Sequence, residues 1–335
     1  MSIPSPALER AVWACFDAHL KDMPSVVIGV SGGPDSLALL DLCVRWPDRG
    51  LTSLVVAHLD HAWRSSSSAD AEYVQRLAVE RGLPSVIERA VDLRESEQCG
   101  RAARDRLFGR VATACNAPVV LLGHTADDQI ETVLFNLCRG TGVDGAGGMD
   151  VRSQRDLDGN ARTIVRPLLP FSRTTIEAYC RARALTPLLD PSNMSRRFAR
   201  NRVRHEILPA IERVFPAARE SLRRFAALAR DQAAIDEHLA EILLARAKIG
   251  GTATSVELSR SQLRAWPQPS VRVLLHHVLR TMSVGRGDLT FERVDALCRA
   301  IVGKRRALVL ELPLGRVARI RGEIVALEYA GFAAP

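Results

Sequence analysis

Ser31-Gly32-Gly33-Pro34-Asp35-Ser36 is the stretch on which the reading of this chain turns. Val26-Val27-Ile28-Gly29-Val30 precedes it, a β-branched run that reads as a buried strand. Leu37 to Val44 follows, apolar and free of Gly and Pro, which reads as a helix. Two glycines between strand and helix let backbone N–H groups approach an anion with no Cβ in the way, and the helix N-terminus adds its partial positive charge. With hydroxyls at Ser31 and Ser36, the loop has the makings of a phosphate cradle. It is not a Walker A loop, which closes on a Lys-Ser/Thr pair; Gly303-Lys304 continues into Arg305 instead. Asp35 is the odd member, because a carboxylate beside a phosphate repels it unless a divalent cation lies between them. The plainer alternative is a strand-to-helix turn capped by Ser31 or Asp35.

Outward from this loop, strand and helix alternate. Leu54 to His58 reads as a second strand, running into Leu59-Asp60-His61-Ala62-Trp63-Arg64, with a helix from about Ala69 toward Gly82. Ser85 to Val91 is a third strand, Glu95 to Asn116 a long helix, and Pro118 to Gly123 a fourth strand, with a helix starting within His124 to Asp128. Continuously apolar strands predict an α/β fold: a parallel sheet covered by helices on both faces. Ligands of such sheets sit beyond the carboxyl ends of the strands, where the loops of Asp35, His61 and His124 to Asp128 all fall.

Gly140 to Gly148 is glycine-rich and expected to be mobile, and Asp150 to Asn160 reads as polar and turn-like. A helix is expected from about Arg173 to Ala184, a loop from Thr186 to Ser195, and a basic helix from Arg196 that Pro209 kinks or interrupts. Beyond Pro216 the character changes. Ala217 to Ile249 reads as one helix ending at Gly250-Gly251, followed by helices around Val271–Met282 and Phe291–Val302. Three strand-like runs close the chain, at Ala307–Leu312, Val317–Arg321 and Ile324–Tyr329. The expected division is a nucleotide-binding domain with a basic helical extension over 1–215, then a smaller α+β C-terminal domain over 216–335.

The 335 residues can bury a sizeable core, and the formal charge of +8 favours a polyanionic partner. Lys21, Lys248 and Lys304 are the only lysines; a GC-rich genome accounts for most of that skew, so the charge is evidence and the skew is not. No apolar run reaches the length of a membrane span and no charged n-region opens the chain, so a cytoplasmic protein without membrane attachment is expected. The seven cysteines form no C-x-x-C pair and read as reduced, largely buried thiols rather than a disulfide, zinc or iron–sulfur framework.

The second chemical signal is Gly123-His124-Thr125-Ala126-Asp127-Asp128-Gln129-Ile130-Glu131-Thr132. Thr125 and Asp128 have capping-box spacing, but a cap needs only one acid. Several acids beside His124, facing a second loop that carries Asp35, suit a magnesium ion, which takes one or two protein carboxylates and fills its shell from phosphate and water.

The Ser-Gly-Gly-x-Asp-Ser loop resembles the signature of the N-type ATP pyrophosphatases, the PP-loop superfamily. Further stretches resemble, in order, the tRNA(Ile)-lysidine synthase family: His61 to Arg64, Gly100 to Phe108, Gly123 to Glu131, Arg139 to Gly142, Arg166 to Leu169, Asp190 to Asn193, and Arg200 to His205. The likeness covers roughly residues 25 to 215. Two departures are Phe108, where the family usually has Tyr, and Trp63, where it usually has Leu. The part beyond Pro216 matches only the general character of the family's shorter form.

The resemblance implies catalysis by the 1–215 domain, tRNA recognition by the 216–335 domain, and a two-step reaction. ATP with Mg2+ adenylates the C2 oxygen of the wobble cytidine in a CAU-anticodon tRNA(Ile), releasing pyrophosphate; free L-lysine then attacks C2 and expels AMP, leaving lysidine. Carried over by position, Ser31, Gly32, Gly33, Pro34, Asp35 and Ser36 bind ATP, and Asp35 and Asp128 hold magnesium. His124 donates to the α-phosphate or leaving group, with helix capping as its alternative. Arg101 and Arg104 share a helix face with Phe108 one turn beyond, suited to phosphate contact beside a stacked base, with a solvated basic face and Phe108 in the core as the alternative, and Arg104 is counted among the catalytic residues. Arg197, Arg200 and Arg204 form a second tRNA-contacting set. A homodimer is left open. Rivals are a tRNA thiolase, which needs placed cysteines; an amide-forming ligase, which the positive charge disfavours; and a non-catalytic RNA binder, which leaves the intact acids unexplained.

Because no cysteine is placed for chemistry, a folded variant with all seven replaced by Ala or Ser should keep its ATP-dependent turnover, measured as pyrophosphate release. Loss of turnover in a well-folded variant would restore the thiolase reading.

Overall fold

Val26, Val27 and Ile28 are fully buried, which a strand achieves only when both faces of its sheet are covered. The computed structural model of the chain describes residues 6–63, 67–91, 93–188, 198–252, 254–282, 289–313 and 315–329. Helix and strand alternate through α1 (Pro6–Leu20), β1 (Ser25–Gly29), α2 (Pro34–Val44), β2 (Ser53–Asp60), α3 (Ser67–Glu80), β3 (Ser85–Arg89), α4 (Glu97–Ala114), β4 (Val119–Leu122) and α5 (Ala126–Cys138). There follow α6 (Val143–Ala146), β5 (Arg152–Leu157), β6 (Asn160–Val165), α7 (Arg173–Ala182), α8 (Ala199–Arg202), a π-helical turn (Val203–Ile207) and α9 (Leu208–Val214).

Six strands form one sheet in the order β3-β2-β1-β4-β6-β5, parallel except for the β5–β6 edge. Alternate side chains of β1 go to opposite faces. Val26 and Ile28 pack with α1, α2, α3 and α7, while Val27 packs with Leu107, Phe108 and Val111 of α4. This is the expected α/β architecture.

The order reverses at one place: β2 lies on one side of β1 and β4 on the other, so the loops after β1 and β4 part across a crevice beyond their carboxyl ends. Gly123, just past β4, sets how near they come. A Cβ there would stand 2.9 Å from the Asp35 carbonyl oxygen and 3.2 Å from the Ser36 nitrogen, backbone atoms that cannot swing away. Across the crevice, α7 docks on α2: the Tyr179 hydroxyl (2.7 Å) and Arg183 Nε (3.1 Å) donate to Asp41 Oδ2, and the Cys180 thiol to the Pro34 carbonyl.

Three sequence expectations change. Asp150 to Asn160 contains strand β5, paired antiparallel with β6 through Asp158 and Gly159, both at positive φ. The strand is polar because it is the sheet edge, and Asp-Gly is a favoured two-residue hairpin turn. Gly140 to Gly148 is tied down: α6 lies within it, the Gln129 amide donates to the carbonyls of Gly147 (2.9 Å) and Met149 (3.0 Å), and that of Asn136 to Gly145 (2.8 Å). Pro209 does not break the basic helix. Lacking an N–H for the carbonyl four residues back, it sits in the first turn of α9, and the turn before it opens into the π-helix.

The chain divides into two compact units at Ala226, within α10 (Ala218–Ala247), with Gly142–Asp144 grouped with the second. The second unit continues through β7 (Lys248–Thr252), β8 (Ser255–Ser259), α11 (Arg260–Ala265), α12 (Gln268–Thr281), α13 (Phe291–Val302), β9 (Ala307–Leu312), β10 (Arg316–Arg321) and β11 (Ile324–Tyr329). Its antiparallel sheet, β7-β8-β11-β10-β9, packs through Leu258, Ile320, Val325 and Leu327 against Leu274, Leu275 and Val278 of α12 and Leu297 and Ile301 of α13. The three closing strands lie where the sequence puts them. Strand β7 replaces the expected end of the long helix, its two glycines leaving no apolar alternation to read.

Gly123→Ala should lower unfolding stability by about 1–3 kcal/mol, the cost typical of forcing a methyl into a packed contact. Gly142→Ala, where a Cβ meets nothing within 4 Å, is the control and should change little. Urea unfolding of both variants makes the comparison; equal behaviour would mean that the two loops do not depend on their close approach.

Candidate functional site

The loop after β1 holds itself open. Ser36 Oγ accepts from the Ser31 N–H (3.1 Å), lies 3.1 Å from Ser31 Oγ and donates to the Gly33 carbonyl (3.0 Å). Gly32 takes φ +86° and its carbonyl accepts from the Leu188 N–H (3.0 Å). Gly33 is the N-cap of α2 with no side-chain cap, so neither Ser31 nor Asp35 fills the capping role. The first-turn amides of α2, which have no helical carbonyl to reach, face a position that no capping side chain occupies.

On the facing side, Thr125 caps α5. Its N–H (2.9 Å) and hydroxyl (3.1 Å) both donate to Asp128 Oδ2, completing the capping box; His124 lies one residue outside the cap. Asp128 Oδ1 is left for cations: Arg204 Nη2 at 3.0 Å and Arg173 Nη2 at 3.6 Å. The same Arg173 nitrogen is 3.9 Å from Asp35 Oδ2, so one guanidinium edge touches both loops.

The two carboxylates titrate apart. Burial pushes Asp35 up to about 7, helped by the negative charge of Asp128 and only partly opposed by Arg173 and Arg204. Burial also acts on Asp128, but the Thr125 N–H bond and the charges of Arg173 and Arg200 oppose it, and that carboxyl lies below its ordinary value. Asp35 Oδ1 is buried with no hydrogen-bond partner. An orphaned, half-protonated carboxyl oxygen beside an ionised one, next to a phosphate-shaped loop, fits a divalent cation. Burial also strips the proton from His124, with Arg166, Arg200 and Arg104 repelling it against the pull of Asp128, and its Nδ1 has no hydrogen-bond partner. The ring is therefore a neutral imidazole at pH 7.

The remaining acids position helices. Asp127 Oδ2 accepts from the Arg173 N–H at the start of α7 (2.7 Å), and Asp127 Oδ1 from Arg219 Nη1 (2.7 Å), whose Nε also donates to Glu212 (2.6 Å). Buried Glu131 takes Arg204 through both oxygens (2.6 and 2.7 Å). Arg200 donates to Thr132 Oγ1 and lies 3.8 Å from Glu131.

Arg101 and Arg104 are exposed on α4, near enough to Arg200 that repulsion, after desolvation, depresses the proton affinity of both. Phe108 is not beside them. It is buried under β1, its ring 2.9 Å from where a Gly29 Cβ would be, so it belongs to the core and cannot stack a base. The aromatic surface is elsewhere: Trp63 stacks on His61 (ring centroids 4.7 Å) and Phe198 (6.1 Å), seated against Gly100, where a Cβ would come within 2.8 Å of the indole. Arg197, Arg64 and Asp190 to Asn193 lie outside the described residues. Sequence reasoning missed Arg173, whose only local signal is a basic residue following the serine N-cap of α7.

Residues 5–211 match the PP-loop domain family. The chain is 37% identical over 303 residues to a tRNA(Ile)-lysidine synthase from Geobacter sulfurreducens, covering 86% of this chain but 61% of that protein. It is 34% identical over 326 residues to one from Synechococcus sp., covering 94% of this chain and 97% of that protein. Among solved structures, a U34-tRNA thiolase from Methanococcus maripaludis with its 4Fe-4S cluster shares the fold, with TM-score 0.54 and 18% identity over 67% of this chain and 78% of that one. The fold and its switch-point crevice are those of a PP-loop protein. The chain belongs to that family and, within it, to the tRNA(Ile)-lysidine synthases.

Folded Asp35 keeps its proton to about pH 7, whereas the unfolded residue releases it near its ordinary 3.8. The ligand-free protein therefore loses stability as pH rises through that window, and the loss is complete above it. Asp35→Asn escapes the loss: at pH 8 it should be the more stable protein, by on the order of 3 kcal/mol, with the gap closing as pH falls toward 4. Urea unfolding at pH 5 and pH 8 tests the sign; a less stable Asn variant at pH 8 would reverse it.

Proposed function

We propose that the chain is an ATP-dependent ligase that joins L-lysine to C2 of the wobble cytidine of a CAU-anticodon tRNA(Ile). The observation that carries this reading is the Asp35–Asp128 pair across the switch-point crevice, beside a phosphate-shaped loop, in a chain of this family. Ser31 to Ser36 hold the ATP phosphates through first-turn amides and hydroxyls, and Asp35 and Asp128 hold Mg2+. Bound there, the ion would neutralise phosphate charge and let Asp35 ionise fully.

In the first step the cytidine C2 oxygen forms a bond to the α-phosphorus as pyrophosphate leaves; in the second the lysine ε-amine forms a bond to C2 as AMP leaves. Arg173 is oriented by the Asp127 contact with its own N–H and shares charge with both carboxylates. Arg204, committed to Glu131 and Asp128, acts as a positioning group rather than as a tRNA contact. His124, neutral, offers a ring N–H or a lone pair to the reacting oxygens, not an imidazolium proton. Arg101, Arg104 and Arg200, with the Trp63–Phe198 stack, supply phosphate contact and an aromatic face for the anticodon loop. The second unit selects the body of the tRNA. Free lysine and tRNA(Ile) are the partners in this reading, the cytoplasm its place, and a homodimer is compatible with it. Among the described residues no helix is long and apolar enough to cross a membrane.

Incubation with tRNA(Ile), ATP, Mg2+ and lysine should place one lysine on the wobble cytidine, read by mass analysis of the digested tRNA. Asp35→Asn and Asp128→Asn should each lower pyrophosphate release by roughly 100-fold or more while tRNA binding persists. Near-normal release by either variant would remove the acid pair from the mechanism, and an unmodified tRNA with the parent protein would remove the function.

A further inference from the structure

Four cations of the second unit gather at one end of its sheet, apart from Arg316, buried at the other end of β10, and Arg319, bonded to Glu328. Residues 303–322 carry six basic side chains against one acid, Glu311. Lys304, Arg305 and Arg306 stand exposed between α13 and β9, and Arg321 is exposed at the end of β10. The two segments lie side by side: Arg321 is in register with Ala307, and the Gly322 N–H donates to the Arg306 carbonyl (2.7 Å). None of the four cations has a hydrogen bond or an acidic partner among the described residues. The acid in the adjoining turn, Glu323, is turned to Arg264 (3.7 Å).

Beneath these loops lies Arg260, only 1% exposed and with no carboxylate in ion-pair contact among the described residues. Its Nε donates to the Ile301 carbonyl (2.9 Å), Nη1 to Gly322 (3.1 Å), and Nη2 to Ala300 (3.2 Å) and Gly303 (2.8 Å). Arg264 adds bonds to Ile301 (3.0 Å) and Gly303 (2.6 Å). A buried guanidinium without an anion is costly, but the last carbonyls of α13 lack helical donors and form the negative end of its dipole. A cation at that point satisfies them and ties the 303–306 loop and the β10–β11 turn into one frame. The exposed charges are thereby held at fixed spacing rather than on a loose tail.

We propose that this edge, Lys304, Arg305, Arg306 and Arg321 on the Arg260 frame, is a phosphate-backbone site for the tRNA outside its anticodon; the proposal rests on the reading of the chain as a tRNA-modifying enzyme. Guanidinium forks on two adjoining loops match a succession of phosphodiesters and recognise a helix by its backbone, not by its base edges.

The test is binding of a tRNA(Ile) transcript to the full-length chain over a salt series, without ATP or lysine. Changing Lys304, Arg305, Arg306 and Arg321 together to Ala should weaken binding by about tenfold or more and make the slope of log K against log salt shallower by about 2–4. The melting temperature should stay with the parent, since all four side chains are exposed. Arg260→Met keeps every surface charge but frees the loops, and in folded protein it should weaken binding as well. Unchanged affinity and slope in the fourfold variant would overturn the proposal, as would loss of binding to phosphatidylserine vesicles with tRNA binding intact. A parent protein that binds tRNA through this edge yet forms no lysidine would refute the function and leave the site standing.

Discussion

The functional half of this molecule depends on a contact with no side chain on one partner: Gly123 against the carbonyl of Asp35. Because β1 and β4 are sheet neighbours whose connections run to opposite sides, their loops would otherwise part. The missing Cβ lets them meet, and the result is two carboxyl groups in one crevice. Like charges held this way cannot both ionise cheaply, so the protein sets them apart. Asp128 is fixed as an anion by its cap bonds and arginines, while Asp35 is left half-protonated with an empty oxygen. The instability is local and has a direction: any cation arriving between the loops relieves it.

The arginines around this pair explain why the surrounding helices sit where they do. Asp127 reaches the first N–H of α7 and Arg219 of α10; Glu131 takes Arg204 from the π-helical turn. Between them the acids of the α5 segment thus hold α7, α10 and the π-helical turn, and Arg173 and Arg204 also bring their charge to Asp128. Removing one partner from such a group leaves a buried charge uncompensated, a larger penalty than the pair's own worth. The π-turn belongs to the same account: with Pro209 unable to donate, the widened turn carries Arg204 between Glu131 and Asp128.

Much of the fold was legible because its signals are local. The strand–loop–helix around Ser31 to Ser36, the alternating strands and helices, the capping box of Thr125 and the three closing strands each follow from adjacent residues. What escaped was set by distance in the chain. Arg173 reads as an ordinary helix-start residue until α7 packs on α2 and brings it to Asp35. For Phe108 the sequence left two readings open, and the sheet decides for the core: it covers that end of the face shared with Arg101 and Arg104 and buries the ring. Strand β5 was hidden by its polarity, although Asp158-Gly159 between two runs was a hairpin signal that carried more weight than composition.

The Trp63 departure shows how a side chain and its seat go together. A larger ring than leucine fits after β2 only because Gly100 leaves the surface of α4 open, and the indole N–H then closes on the Leu93 carbonyl (3.2 Å). Net charge has to be read with the same attention to place. The formal +8 suggests a surface made for RNA, but Arg173, Arg204 and Arg219 are engaged with acids inside the first unit, and Arg260 with carbonyls inside the second. Those charges shape the protein and offer little to a ligand. The charge available to a polyanion is what remains outside such bonds. It includes Arg101 and Arg104 on α4 and the loop ends of the second sheet, so the positions of the cations, more than their sum, decide where a polyanion can be held.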